Sequence, residues 1–553
     1  MTAPTSILIA NGRIVDGTGN PWFYGDLVLG DGRVEAIAPA GSFNAGPNTE
    51  TVDATGLVVC PGFIDIQSHS IVPFLSDRRA ISKITQGVTT EIMGEDWTPA
   101  PFGGRIDCPF HEGQRRFVGD GFDDWMKRAR GWTRFGDWLA AIEDLGVAVN
   151  IGSFVGGSTV REFGKGYDLG PPSLAELNAM RRVVAEAMED GAFGLATALI
   201  YPPGAFADTA ELTALCEVVA AYRGVHITHI RSEEARIVEA LDEAIAIARR
   251  TGVATEIYHL KLAGQRNWDR LPLVIDMINL ARVEGLDVGA DMYPYEAAGT
   301  GLSACLPPWA SEGGNLYKRL RDEPDFRARV RAEMAHPSGD WENFAAVAGP
   351  ENLLLASFGL PEHKQRYQGK RLAQIATELG QDWIDAALDL LAAEQHDIFT
   401  FYFMMSEGNL HRQLQQPWMK IGTDAGGLDP EAAAKRGLAH PRAYGTFTRI
   451  LGRFVREQGV VPIEDAVRKM SAATAARLGL FDRGVLRPGL AADVVAFDPT
   501  SVTDRATYDD PHRLSTGIHH VWVNGVAVLR DGQHTGATPG RRLHGPGYRA
   551  TRD

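Results

Sequence analysis

Between residues 59 and 484, short apolar runs alternate with stretches of helical periodicity. The runs are GFIDIQ (62–67), TTEIMG (89–94), AVNIGSFV (148–155), FGLATAL (193–199), VHITHI (225–230), ATEIYHL (254–260), VGADMYPY (288–295), IFTFYFM (398–404) and KIGTDA (420–425). Near-continuous apolar runs separated by helices are the mark of an α/β chain whose parallel strands form an open sheet or a barrel. A barrel has eight places, and nine runs compete for them. The interval from about 300 to 395 is rich in Trp, Pro and charged helical segments such as DFRARVRAEM and reads as an insertion with structure of its own.

The chain ends follow a different period. SILIANGRIVDG, GDLVLGDGRVEAIA and TVDATGLVV alternate apolar and polar positions, as do AADVVAFDP (491–499) and HHVWVNGVAVLRDGQ (519–533). Asn11-Gly12, Asp31-Gly32 and Asn524-Gly525 are hairpin-turn pairs. The expected organisation is a small β-sandwich domain built from residues 1–58 and 485–553, flanking a domain of residues 59–484 that carries the insertion.

Composition narrows the function classes. At 553 residues with 44% hydrophobic and 23% charged, the chain is of globular type. The net charge is −15 and no Lys/Arg-rich run tracks phosphates, so nucleic acid is not an expected partner. No apolar stretch approaches the roughly eighteen residues of a membrane span, and MTAPTSILIANGRIVDG lacks the basic and apolar regions of a signal peptide. Cys60, Cys108, Cys216 and Cys305 are scattered without metal-knuckle or disulfide spacing. A cytoplasmic location with no membrane partner is expected.

Reacting groups of a parallel barrel gather at the C-terminal ends of its strands. Gln67 and His69 end the first run, Glu95 and Asp96 the second, His229 the fifth, His259 the sixth and Asp424 the last. Imidazoles and carboxylates in that common register suit a divalent metal such as zinc. His226, three positions before His229, falls on the other side of its strand and reads as structural.

The chain resembles the amidohydrolase superfamily, in its D-aminoacylase or N-acyl-D-amino-acid deacylase branch. The blocks carrying the likeness include VVCPGFIDIQSHS (58–70), QGVTTEIMGEDWTPAP (86–101), GLATALIYPPGAFADTAEL (194–212) and THIRSEEARIVEALDEAIAIARRTG (228–252). YHLKLAG (258–264), DMYPYEAAGTG (291–301), IGTDAGG (421–427), HPRAYGTFTRILG (440–452) and GLAADVVAFDP (489–499) continue it. The resemblance implies a metal-bearing (β/α)8 TIM-type barrel beside a β-sandwich from both chain ends. It also implies that His229 and His259 hold the tightly bound metal and that Asp424 is the general base and acid, in reach of metal. Lys261, Arg442 and Tyr201 match substrate-binding positions, with Arg442 on the substrate carboxylate.

Two departures matter. Gln67 stands where the family has the first His of His-x-His, and a neutral amide is a poor zinc ligand, so one or two divalent ions remain open. The segment Gly94-Glu95-Asp96-Trp97 offers a carboxylate where the family commonly has Cys, and Glu95 is favoured over Asp96 for its longer arm. LDPEAAAKRGLA (428–439) also lengthens the loop before Arg442.

The expected activity is metal-dependent hydrolysis of a C–N amide bond in an N-acyl amino acid, D by resemblance, or a related small amide. Asp424 would shuttle the proton, and His69 would be a partial metal ligand or an oxyanion donor. Opening of a cyclic amide and an inactive barrel serving as a scaffold are the alternatives. The expected partner is the small-molecule amide substrate, and homo-oligomerisation is left open.

Overall fold

The computed structural model describes residues 6–339 and 341–550. Parallel strands run in chain order as Phe63–Asp65, Val88–Met93, Asn150–Ser153 continued by Val155–Gly156, Gly194–Ala198, Val225–His229, Ala254–Ile257, Val288–Met292 and Met419–Ile421. Each pairs with the next, and the residues of Gly194–Ala198, Val225–His229 and Val288–Met292 are all buried. The first and last strands meet through the parallel bridge Ser68↔Ala425 and the bond from Asp424 N to Gln67 O, 2.9 Å.

The helices between the strands follow from local signals. Ser173 and Glu176 form a reciprocal capping box that starts Leu174–Glu189. Ile237–Thr251 buries Ile237, Ala240, Leu241, Ala244, Ile245 and Ala248, a stripe of helical period, and stops at Gly252 with φ of 73°.

IFTFYFM is the run without a parallel place. Phe399–Phe403 pairs antiparallel with Ala297–Gly301 on one side and Leu353–Ser357 on the other. Around this three-stranded sheet, Leu320, Val330, Phe344, Leu388 and Tyr402 gather in a core of their own. DFRARVRAEM lies in the helix Pro324–Ala335.

At the other end, Val58–Pro61 pairs antiparallel with Val494–Phe497 and carries the hydrogen bonding from one chain end into the other. The expected sandwich is therefore, in its bonding, one continuous nine-stranded sheet. Its apolar face gathers Ile9, Leu27, Val34, Val59, Val494 and Trp522. Asp31-Gly32 and Asn524-Gly525 form two-residue turns with positive φ at both positions. Asn11-Gly12 does not. It lies inside the strand Ser6–Ile14 as a bulge, because Asn11, at φ of 62°, donates its N–H to the Asp26 carboxylate, 2.9 Å away, instead of turning the chain.

Behind the C-terminal ends of the first, second and last strands sits a buried charge cluster. Lys83 Nζ, with no exposed side-chain surface, lies 2.5 Å from Asp65 and 3.5 Å from Glu91. It also donates to Thr423 Oγ1 at 2.6 Å and to Ala425 O at 2.7 Å. Removing the ammonium leaves buried carboxylates without a counter-charge. Lys83→Met is therefore expected to destabilise the protein by about 3–5 kcal/mol. Thermal or urea denaturation checks this, and an unshifted midpoint would refute it.

Candidate active site

His69, Glu95, Tyr201, His229, His259, Lys261, Asp424 and Arg442 all line one cavity of about 490 Å³ at the C-terminal ends of the parallel strands. His229 is the last residue of its strand. His259 and Lys261 lie beyond the end of theirs, at Ile257, so they share a side through the loop and not through strand alternation. His259 sits at φ of 31° and Asp424 at 49°, and His259 N donates to Asp291 Oδ1 at 2.9 Å. Two non-glycine residues in the left-handed region mark strain at these strand ends.

Glu95 is the hub. Its Oε1 lies 3.4 Å from His259 Nε2 and 4.0 Å from His229 Nδ1, and its Oε2 lies 3.1 Å from His69 Nε2. Donor atoms of Glu95, His229 and His259 fall within 4.8 Å of one another, and so do those of His69, Glu95 and Asp424. Both ring nitrogens of His229 are buried without a hydrogen-bond partner, which a protein tolerates where something else fills the place. One carboxylate and two imidazoles with an orphaned buried nitrogen fit a divalent metal of the zinc type. The Gln67 amide nitrogen donates to Glu95 Oε2, and its Oε1 is buried without a hydrogen-bond partner. Asp96 turns away, its carboxylate accepting from Ala198 N at 3.1 Å and from Ser158 Oγ. His226 is bonded to Thr197 Oγ1 at 3.0 Å.

The electrostatics follow from this packing. Burial raises the Glu95 carboxyl, but hydrogen bonds from His259 and His69 overcome it and hold the group well below its usual range. Burial lowers the His69 imidazole, but Asp424 and Glu95 raise it to about 10. Burial holds His229 down to about 4, which keeps it neutral and able to act as a ligand.

Arg442 Nη1 lies 2.8 Å from Asp424 Oδ2, and its Nη2 donates to Gly299 O at 3.0 Å. Its guanidinium stands 4.7 Å from the Tyr293 ring centroid. The pairing with Asp424 is ionic without hydrogen-bond alignment, so Nε and Nη1 keep their donor capacity. Burial raises the Asp424 carboxyl, but the Arg442 charge outweighs it and lowers the group below its ordinary value. His440 accepts from Arg442 N at 3.1 Å and fixes the turn. With the long preceding loop, Arg442 still lines the cavity. Tyr201 donates to Thr300 Oγ1 at 2.7 Å, its ring 5.6 Å from that of His229.

Glu233 is the residue that sequence reasoning missed. It lies 2.6 Å from Lys261 Nζ, 3.2 Å from His259 Nδ1 and 3.4 Å from His229 Nε2. Lys261 is thereby already neutralised, and its Nζ also lies 2.7 Å from His259 Nδ1. The signal was a carboxylate four positions after a strand-end histidine, in Arg231-Ser232-Glu233-Glu234.

Residues 50–296 and 425–529 match the model of the amidohydrolase family. The chain is 33% identical to an N-acyl-D-glutamate deacylase of Alcaligenes xylosoxydans xylosoxydans over 96% of this chain and 94% of that one. It is 33% identical to a D-aminoacylase of the same organism, over 98% of each. It is also similar to the crystal structure of the N-acyl-D-glutamate deacylase from Bordetella bronchiseptica complexed with zinc and a phosphonate inhibitor, a mimic of the reaction tetrahedral intermediate. That likeness has a TM-score of 0.78 and 32% identity over 97% of this chain and 99% of the other.

Proposed function

The chain belongs to the amidohydrolase family, and on that premise we propose that it is a zinc-dependent hydrolase of the C–N amide bond in N-acyl-D-amino acids. The observation that carries this reading is the gathering in one cavity of Glu95, His229 and His259 with Asp424 and its partner Arg442, a carboxylate oxygen of Asp424 lying within 4.8 Å of one of Glu95. A closed (β/α)8 barrel over residues 59–484, an insertion at about 300–395 and a β domain from 1–58 with 485–553 are part of the proposal. The Ser68↔Ala425 bridge and the sheet shared by both chain ends support it. Among the described residues no helix is long and apolar enough to cross a membrane. The unpaired, scattered cysteines favour the cytoplasm.

Glu95, His229 and His259 would hold the tight ion, with His69 and Asp424 within reach of a second. When bound, the metal supplies Lewis acidity, polarising the scissile carbonyl and acidifying water. Asp424, kept ionised by Arg442, takes the proton of the attacking water and passes it to the departing amine, which leaves poorly unless protonated. His69, held between Glu95 and Asp424, stands beside the proton acceptor and is the donor available to a developing oxyanion. The free donors of Arg442 receive the substrate carboxylate, with Tyr201 packing against the same pocket.

Turnover of N-acyl-D- but not N-acyl-L-amino acids by the purified protein is the test. Hydrolysis of cyclic amides alone, or no turnover by metal-replete protein, would refute the reading. Gln67→His is expected to raise metal content toward two ions per chain, because an imidazole would replace an amide beside Glu95, His69 and Asp424. Unchanged content by elemental analysis would show that Gln67 does not limit the second ion.

Carboxylate recognition is testable on the ligand itself. Converting the substrate's α-carboxylate to a primary amide should cost about 2–4 kcal/mol in kcat/KM, roughly 30- to 1000-fold. Arg442→Ala should lose activity on the acid and much less on the amide. This double-mutant cycle cancels general damage, including that from unpairing Asp424. Equal losses on both substrates would mean that Arg442 does not read the carboxylate.

A further inference from the structure

The cavity has a second cationic pole that the reaction leaves unused. Arg116, from the turn Arg115–Val118, and Arg436, just after the helix Pro430–Ala434, both line it and are half-buried. Their guanidinium carbons lie 5.1 and 5.3 Å from the centroid of one ring, Phe117. Two like charges sharing one aromatic ring repel each other, and such an arrangement ordinarily includes a carboxylate. None is present: among the described residues neither arginine has an ion-pair partner within 4.0 Å, and Nε and Nη1 of Arg116 are buried without any hydrogen-bond partner. The adjacent Arg115, by contrast, pairs with both Glu112 and Asp123 at 2.8 Å.

The nearby acids are committed elsewhere. Asp397 accepts from Ser303 N at 3.0 Å and Ile398 N at 2.9 Å. Glu394 accepts from Gly359 N and lies 2.7 Å from His363 Nδ1. Asp429 is paired with Arg79 at 2.8 Å. In a chain of net charge −15, two arginines that face a cavity with no acid to meet them are placed for an anion that comes from outside. Burial holds both guanidinium groups below the usual arginine value, so an incoming anion would relieve a standing cost. Val72, Phe117 and Leu428 line the same cavity, and their apolar surface suits the methylenes of a short linker.

We infer that Arg116 and Arg436 form an anion subsite, so that the substrate is a dianion whose second carboxylate stands apart from the one read by Arg442. This rests on the deacylase reading above. The second carboxylate has two sources, the amino-acid side chain or the far end of the acyl chain, and the experiment separates them. N-acetyl-D-glutamate is compared with N-acetyl-D-glutamine, and N-succinyl-D-alanine with its terminal amide. In one pair the acid should exceed its amide in kcat/KM by about tenfold or more, in line with a charge-assisted bidentate contact, and that pair identifies the source. In the double variant R116Q/R436Q the ratio should fall to near one. Because neither arginine has a carboxylate to strand, this variant should fold, which retained metal content checks. R436E should invert the ratio. Ratios near one in both pairs for an active wild-type enzyme overturn the subsite.

Absence of turnover on every N-acyl-D-amino acid would instead sink the reading it rests on. The subsite is then decided by calorimetric titration with glutarate against its monoamide. Tighter binding of glutarate that R116Q/R436Q abolishes supports the subsite. Equal affinity, or a difference that survives in the variant, overturns it.

Discussion

Asp424→Asn is expected to lower kcat by about 10²- to 10⁴-fold while leaving fold and metal content near wild type, since that is the usual worth of a positioned general acid or base. The amide keeps the size of the side chain and a hydrogen-bonding oxygen toward His69, which lies 2.8 Å from the present carboxylate. It cannot take up a proton at neutral pH. It also leaves Arg442 without its counter-charge, which should if anything tighten the hold on the substrate carboxylate. The expected signature is therefore a collapsed kcat with KM unchanged or lower. A variant that keeps most of its kcat would show that the proton goes elsewhere, with His69 the next group to examine.

Loss of the metal is expected to be as damaging. His259→Ala removes one of three donors that lie within 4.8 Å of each other. It should weaken metal binding by more than the 10- to 100-fold typical of residues that only orient a ligand. Chelator-treated wild type should lose turnover and regain it with about one equivalent of zinc, whereas His259→Ala should need a large excess. Elemental analysis showing well under one ion per chain in untreated wild type would sink this prediction, as would full activity of the chelated protein. His226→Ala is the control, because that ring is bonded to Thr197 on another side of the strand and should cost stability without changing metal content.

Much of this was legible before any coordinates. Strand-end position selected Gln67, His69, Glu95, Asp96, His229, His259 and Asp424 together; in the structure only His229 is the last residue of its strand, and the others follow their strand ends by two to four residues. Glu233 escaped because it is delivered by a loop, where spacing carries no direction. The pairing of Lys261 with Glu233 escaped for the same reason, and it makes Lys261 part of a buried ion pair before any substrate arrives. Asn11-Gly12 misled because an Asn-Gly pair reports only that the backbone takes positive φ. Whether the chain then turns or bulges is decided by a partner far away in sequence, here Asp26. IFTFYFM had the composition of a buried strand and is one, but composition does not say which sheet will receive it.

The pairing of Pro61 with Val494 sets a clock on biosynthesis. At translation speeds of roughly 5–20 residues per second, on the order of 20–90 s separate the two halves of that one ladder. Throughout that interval the strands Ser6–Ile14 through Val58–Pro61 can pair among themselves, but Val58–Pro61 keeps one bare flank. A nascent chain with an open, Val-rich sheet edge is a template for pairing with its neighbours on the same message. Slower translation of the intervening residues 62–493 should therefore lower the soluble yield.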